Sequence, residues 1–113
     1  MHEMALAEGV LRIVEDAAAQ HAAARVHTIW LELGALAHVE PEALRFCLES
    51  VTRGSVAEGA TLTIERTPGV AWCMPCSARV PVAELGEACP QCGSYQLQVT
   101  AGEAMRVREI GIV

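Results

Sequence analysis

Four of the five cysteines in this 113-residue chain fall in two pairs, Cys73-Met-Pro-Cys76 and Cys89-Pro-Gln-Cys92, with twelve residues between the pairs. Each pair offers two thiols from one tight turn. Four thiolates at this spacing suit a tetrahedral zinc ion held for structure. The same sulfurs would also suit iron in a rubredoxin-like site. A redox pair of the thioredoxin type needs a βαβ setting around a single C-x-x-C, and neither pair has one. Four thiolates close the coordination shell, so a zinc held by them has no open position for water and is not catalytic. Pro75, Pro90 and Gly93 favour the sharp turns that let backbone amides face the sulfurs. A segment of about thirty residues has little core of its own, and metal binding contributes on the order of 10 kcal/mol or more to folding it.

A second candidate lies at the start of the chain, Met1-His2-Glu3. The zinc-protease pattern H-E-x-x-H is excluded, because the second histidine would fall at Leu6. Met1 is expected to be retained before the bulky His2. Its amine, the backbone nitrogen of His2 and the imidazole together make a planar, nitrogen-rich chelate, a set that suits Ni(II) or Cu(II). The competing reading is a solvated histidine at the start of a helix. Cys47, the unpaired cysteine, sits on an apolar helical stripe and reads as a small buried hydrophobe.

The elements that position these residues are legible in outline. Residues 4–20 have helical periodicity, with Leu6, Val10, Ile13 and Ala17 in one stripe that Met4, Leu11, Val14 and Ala18 widen. Residues 25–33 alternate as a strand with Ile29, Leu31 and Leu33 on one face. A second helix is predicted from about 41 to 53, with Pro41 at its first position, Gly54 past its end, and Leu44, Cys47, Leu48 and Val51 buried. Residues 61–66 make another strand, and Pro68-Gly69 breaks the chain. Residues 70–100 hold the paired cysteines and three of the five prolines, and show no helical period. Residues 105–113 return to strand texture. The change of face between Val107 and Ile110 predicts a bulge near Glu109. The tail is expected to pair back into the first sheet, which makes 70–100 an insertion.

The predicted fold class is α+β: a small sheet packed with two helices, plus an inserted zinc-ribbon-like lobe. The expected division is residues 1–69 with 101–113 as one lobe and 70–100 as the other. A helix over 4–20 travels about 24 Å at its rise per residue, and a strand over 25–33 returns about 26 Å. An antiparallel return brings the loop 34–42, with His38, Glu40 and Glu42, beside His2. His21 and His27 fall at the far end and read as surface residues near a turn.

Composition narrows the function. The net charge is −6, and all eight basic residues are arginine, which argues against nucleic acid or an anionic membrane as partner. The ribbon segment has one arginine against two glutamates, and no aromatic-plus-basic surface is expected on it. No export signal and no membrane-length apolar run is read in the chain, so a cytoplasmic location with reduced thiols is expected. No nucleophile–base pair, phosphate loop or open metal site is found, so no enzyme activity is expected.

The initial M-H-E, the segment LGALAHVEPEALRFCLE, the paired C-x-x-C motifs and the closing MRVREI together resemble the HypA/HybF family of hydrogenase-maturation nickel metallochaperones. The resemblance covers nearly the whole chain. It implies a two-lobed protein with a nickel lobe and a zinc lobe. His2 matches the family's nickel-binding histidine, with Glu3 its neighbour in the motif, and Cys73, Cys76, Cys89 and Cys92 match the zinc ligands. It also implies a GTPase partner of the HypB type and delivery of Ni(II) to the large subunit of [NiFe]-hydrogenase. One departure is Ala104, where the family tends to carry an acidic residue. The alternative is a zinc-ribbon adaptor or regulator that binds protein or nucleic acid, with an idle N-terminus.

Overall fold

The computed structural model describes residues 2–113. In order, the elements are α1 (Glu3–Gln20), β1 (Val26–Gly34), α2 (Pro41–Val51), β2 (Thr61–Thr67), β3 (Gly69–Cys73), β4 (Ala78–Val82), β5 (Leu97–Ala101) and β6 (Met105–Ile112). They form two three-stranded sheets, ordered β2-β1-β6 and β4-β3-β5. The chain divides into two compact units: Met1–Leu31 with Val39–Glu65 and Val107–Val113, and Glu32–His38 with Arg66–Arg106.

In the first unit α1 is an alanine-rich helix whose buried residues are Glu3, Ala7, Val10, Val14 and Ala18. The stripe is therefore rotated from the one expected: Ile13 is 54% exposed and Met4 40%. Apolar side chains wrap more than half of α1, so periodicity alone leaves the centre of the buried face open. No glycine follows the helix, and Ala22 takes the left-handed turn instead, with φ of 50°.

Helix α2 buries Leu44, Cys47 and Leu48 and packs on α1. Its N-cap is Glu40, whose carboxylate accepts the Glu42 amide at 3.3 Å. It ends at Val51, two residues earlier than expected, where the Thr52 hydroxyl donates back to the Leu48 carbonyl at 2.7 Å. Cys47 is 3% exposed in this core, as its place on the stripe predicts.

Backbone bonds at the ends of β1 define its pairing. Ala24 and Arg25 bond to Val113, and Gly34 bonds to Ala104, so β1 and β6 run antiparallel. Val26 bonds to Val56 and Ala35 to Thr67, so β1 and β2 run parallel, with α2 as the crossover between them. Val26, Ile29 and Leu31 are fully buried. On the face opposite Ile29 and Leu31 the Arg108 guanidinium lies 4.3 Å above the Trp30 ring and pairs with Glu65 at 3.3 Å. Along β6 the burial pattern changes phase at Glu109: Met105 and Val107 are half-buried, Arg108 and Glu109 are both exposed, and Ile110 is half-buried.

The second unit contains three short strands that the sequence reading did not resolve. β3 pairs antiparallel with β4, from Gly69 opposite Val82 to Cys73 opposite Ala78. It also pairs antiparallel with β5, with an irregularity between Val70 and Ala71. The inner face is a small core of Leu36, Ala71, Cys73, Val80, Val82 and Cys89, with Cys76, Leu97 and Val99 against it. Three chain passes meet at glycines beside this core. A Cβ on Gly34 would stand 2.0 Å from the Gly102 carbonyl oxygen, and one on Gly102 would stand 2.6 Å from the Gly69 Cα.

Candidate metal centre

Strand β3 ends on Cys73, and the chain turns at once through Met74-Pro75-Cys76 into β4. Ser77, just past Cys76, has φ of 49°, and Gly93, just past Cys92, has φ of 77°. Each C-x-x-C turn is therefore closed by a residue in the left-handed region, where glycine is at ease and serine is strained. The Gly93 amide donates to the Cys89 carbonyl at 2.8 Å, which fixes the second turn. Met74 donates its amide to the Gln96 carbonyl at 3.1 Å, which ties the first turn to the approach of β5.

The turns converge. One ligand atom from each of Cys73, Cys76, Cys89 and Cys92 lies within 4.8 Å of every other. The Cys73 and Cys92 sulfurs are 3.6 Å apart and those of Cys76 and Cys89 are 4.0 Å apart. Zn–S bonds of about 2.3 Å in a tetrahedron set neighbouring sulfurs about 3.8 Å apart, so the cluster has the size for zinc. All four cysteines are free thiols.

Their electrostatics fit a cation. Burial pushes the Cys73 thiol up. The neighbouring sulfurs, Cys92 first and then Cys73, push the Cys76 thiol up to about 12. The Cys92 amide, and after it that of Gln91, outweighs burial and holds Cys89 down at about 7. Four thiolates so close repel one another, and a divalent cation among them keeps all four deprotonated. When bound, zinc would supply that charge and join the two turns through Cys73, Cys76, Cys89 and Cys92.

The N-terminal candidates behave differently. His2 is the N-cap residue of α1 and is exposed, and its side chain makes no capping bond. The Met1 amine, which the expected chelate needs, lies outside the described residues. Glu3 is 6% exposed, and its carboxylate accepts the Glu40 amide at 3.5 Å. Its pKa lies below the ordinary 4.5, chiefly because its own amide donates to it; burial opposes this, and the Glu40 amide and the His2 charge add to it. The end of loop 34–42 does return beside residue 3. His38 is exposed with φ of 49°. Among the described residues the four cysteines are the only group of three or more His, Cys, Asp or Glu side chains placed to hold a metal, and His2, Glu3, His38, Glu40 and Glu42 form no such group.

His21 caps the end of α1, and the exposed His27 ring lies against Gly111, where a Cβ would approach it to 2.5 Å. The expectation that the ribbon carries no aromatic-plus-basic surface is corrected. Trp72, 37% exposed, stands opposite Arg79 on β4 and Gln98 on β5 in one row across the sheet. The two residues are seven apart in sequence, and only the β3–β4 register makes them neighbours.

Two helices with small sheets and a closed four-thiol cluster define an α+β metal-binding protein. A family model described as hydrogenase/urease nickel incorporation, metallochaperone, hypA matches residues 1–112. The hydrogenase maturation factor HypA of Albidiferax ferrireducens is 59% identical over 112 residues, 99% of this chain and 99% of that protein. The HypA of Dechloromonas aromatica is 57% identical over 112 residues, with the same 99% coverage of both. The fold is similar to the solution structure of the Ni metallochaperone HypA from Helicobacter pylori, with a TM-score of 0.74 at 21% identity, covering 100% of this chain and 98% of that one. The chain belongs to the HypA family of hydrogenase maturation factors.

Proposed function

We propose that this protein is a nickel-delivery accessory protein, without catalysis of its own, that supplies Ni(II) for maturation of the [NiFe]-hydrogenase large subunit. His2, with Glu3 beside it, takes the nickel as cargo. Cys73, Cys76, Cys89 and Cys92 hold zinc for structure. The functional division is residues 1–69 with 101–113 for nickel and 70–100 for zinc. The work is done in the cytoplasm with a GTPase partner of the HypB type.

The observation that carries this reading is a difference between two donor sets in a chain that the family model matches almost end to end. One set is closed: four thiols clustered at zinc size, two of them almost fully buried. The other is open: an exposed imidazole at the head of a helix, with no capping duty. A cargo ion needs ligands that leave one at a time, and an exposed imidazole is such a ligand. A closed thiolate shell is a poor donor for the same reason. The test is transfer of radioactive nickel from the loaded protein to the metal-free large subunit, with the GTPase partner and GTP present. Nickel in the large subunit only when this protein is present is the expected result. Equal incorporation from free nickel at the same concentration would overturn the delivery role.

The row of Trp72, Arg79 and Gln98 favours a second reading, a zinc-ribbon adaptor that docks on a protein. With a net charge of −6, nucleic acid is the weaker occupant. Under that reading Trp72→Ala abolishes hydrogenase maturation while His2→Ala leaves it intact.

A further inference from the structure

We propose that Cys92 is a peroxide-modification site and that Cys73 resolves it, so that oxidation enters the cysteine cluster at one sulfur and ends in a Cys73–Cys92 disulfide. The consequence for zinc rests on the reading that the cluster holds that metal. The cluster is asymmetric in access: Cys73 is 0% exposed and Cys89 3%, Cys76 is half-buried, and Cys92 is exposed. The residue after Cys92 is Gly93, where even an added Cβ would meet nothing within 4 Å. An oxidant in solution therefore reaches the Cys92 sulfur first. The Cys89 sulfur accepts the Gln91 amide at 3.4 Å, but the residue is 3% exposed, and that burial closes it to an oxidant in solution.

The cluster is also asymmetric in pairing. Cys92 has the Cys73 sulfur 3.6 Å away, while Cys76 has that of Cys89 at 4.0 Å. Both of these contacts join one turn to the other, so the Cys73 sulfur stands within reach of Cys92 from the opposite turn.

The chemistry balances with a hydroperoxide as oxidant. The Cys92 thiolate attacks one peroxide oxygen, the O–O bond breaks, and hydroxide or alkoxide leaves, which makes Cys92 a sulfenic acid. The Cys73 thiolate then attacks the Cys92 sulfur, the S–O bond breaks, hydroxide leaves, and the S–S bond forms. Two thiolates give two electrons to one peroxide. The cluster loses one thiolate from each turn, and Cys76 and Cys89 alone are too few to keep zinc in a four-coordinate site.

The test treats the zinc-loaded full chain with hydrogen peroxide below one equivalent. A chromogenic chelator follows released zinc, and quenched samples are alkylated and mapped by mass spectrometry. Met74, 58% exposed, oxidises independently and shows as a separate sulfoxide. The expected first cross-link is Cys73–Cys92, rising in step with released zinc. In samples quenched early, a sulfenic-acid trap is expected to label Cys92 before Cys73, Cys76 or Cys89, and labelling of another cysteine first overturns the proposal. A first cross-link of Cys89–Cys92 or Cys76–Cys89 overturns the proposal, as does zinc release while Cys92 is still fully alkylated. If the purified chain carries no zinc, the zinc reading fails, and the map still decides which thiol is oxidised first.

Discussion

The Glu3 carboxylate, at the first position of α1, accepts the backbone amide of Glu40, the residue that caps α2, at 3.5 Å. One side chain thus ties the starts of both helices together, directly beside the histidine proposed to take nickel. Glu40 is bound in both directions: its amide donates to Glu3, and its own carboxylate accepts from Glu42.

This tie is pH-dependent, with a definite sign. The folded pKa of Glu3 lies below its ordinary 4.5. Its stabilising contribution is therefore complete above that ordinary value and is lost as pH falls through the lowered folded one. Carbon-detected NMR titration of the Glu3 carboxyl in the nickel-free protein should find it still ionised when a reference glutamate is half protonated. In Glu3→Gln this part of the acid dependence of stability should disappear, and an unchanged acid profile would show that the tie contributes nothing.

The glycine crossing of the second unit makes a sharper prediction. Gly102 has φ of 96°, and a Cβ there would stand 2.7 Å from the Pro68 carbonyl oxygen. Gly102→Ala combines backbone strain with a backbone clash and should lower stability by more than about 2 kcal/mol. Gly54 has φ of 76° and open space around its Cβ position. Gly54→Ala should cost only about 1 kcal/mol, the strain alone. Urea unfolding of the two variants compares them, and equal midpoints would contradict the packing.

The rotation of α1 is equally open to measurement. Val14 is 0% exposed and Ile13 54%. Val14→Ala should destabilise by about 1–3 kcal/mol and Ile13→Ala by less than about 0.5 kcal/mol. The reverse order of melting temperatures would restore the stripe read from periodicity.

Zinc removal should act on one unit. The core around Cys73 and Cys89 is small, and structural zinc contributes about 10 kcal/mol or more to such folds. A strong chelator should therefore change the fluorescence of Trp72, in β3, and collapse the amide NMR signals of residues 66–106. The helical circular dichroism of α1 and α2 should stay. Loss of both signals together would mean that the first unit cannot stand without the metal.

What the sequence made legible follows from the range of the interactions involved. The alternation of Ile29, Leu31 and Leu33, the start of α2 at Pro41 and the burial of Cys47 depend on local pattern, and each is visible in a few residues. The paired cysteines announced their own convergence, because four thiols at that spacing have few other uses. The strands of the ribbon were hidden. Each is five residues long, and the turn chemistry of the cysteines and Pro81 masks their alternation. The Trp72–Arg79 row depends on strand register, and the Glu3–Glu40 tie on two segments 37 residues apart. Neither leaves a periodic trace. The face of α1 was ambiguous for a different reason: its apolar residues outnumber the buried positions, and tertiary packing selected among them.

The proposed division of metals, nickel on His2 and zinc on the four cysteines, is put to the test by titrating Ni(II) into the untagged, zinc-loaded protein beside His2→Ala, with metal content measured by mass spectrometry before and after. The wild type should bind about one nickel per chain, the variant should lose it, and both should retain their zinc. Equal nickel binding by the two proteins, or nickel that displaces zinc from the cysteines, would contradict it.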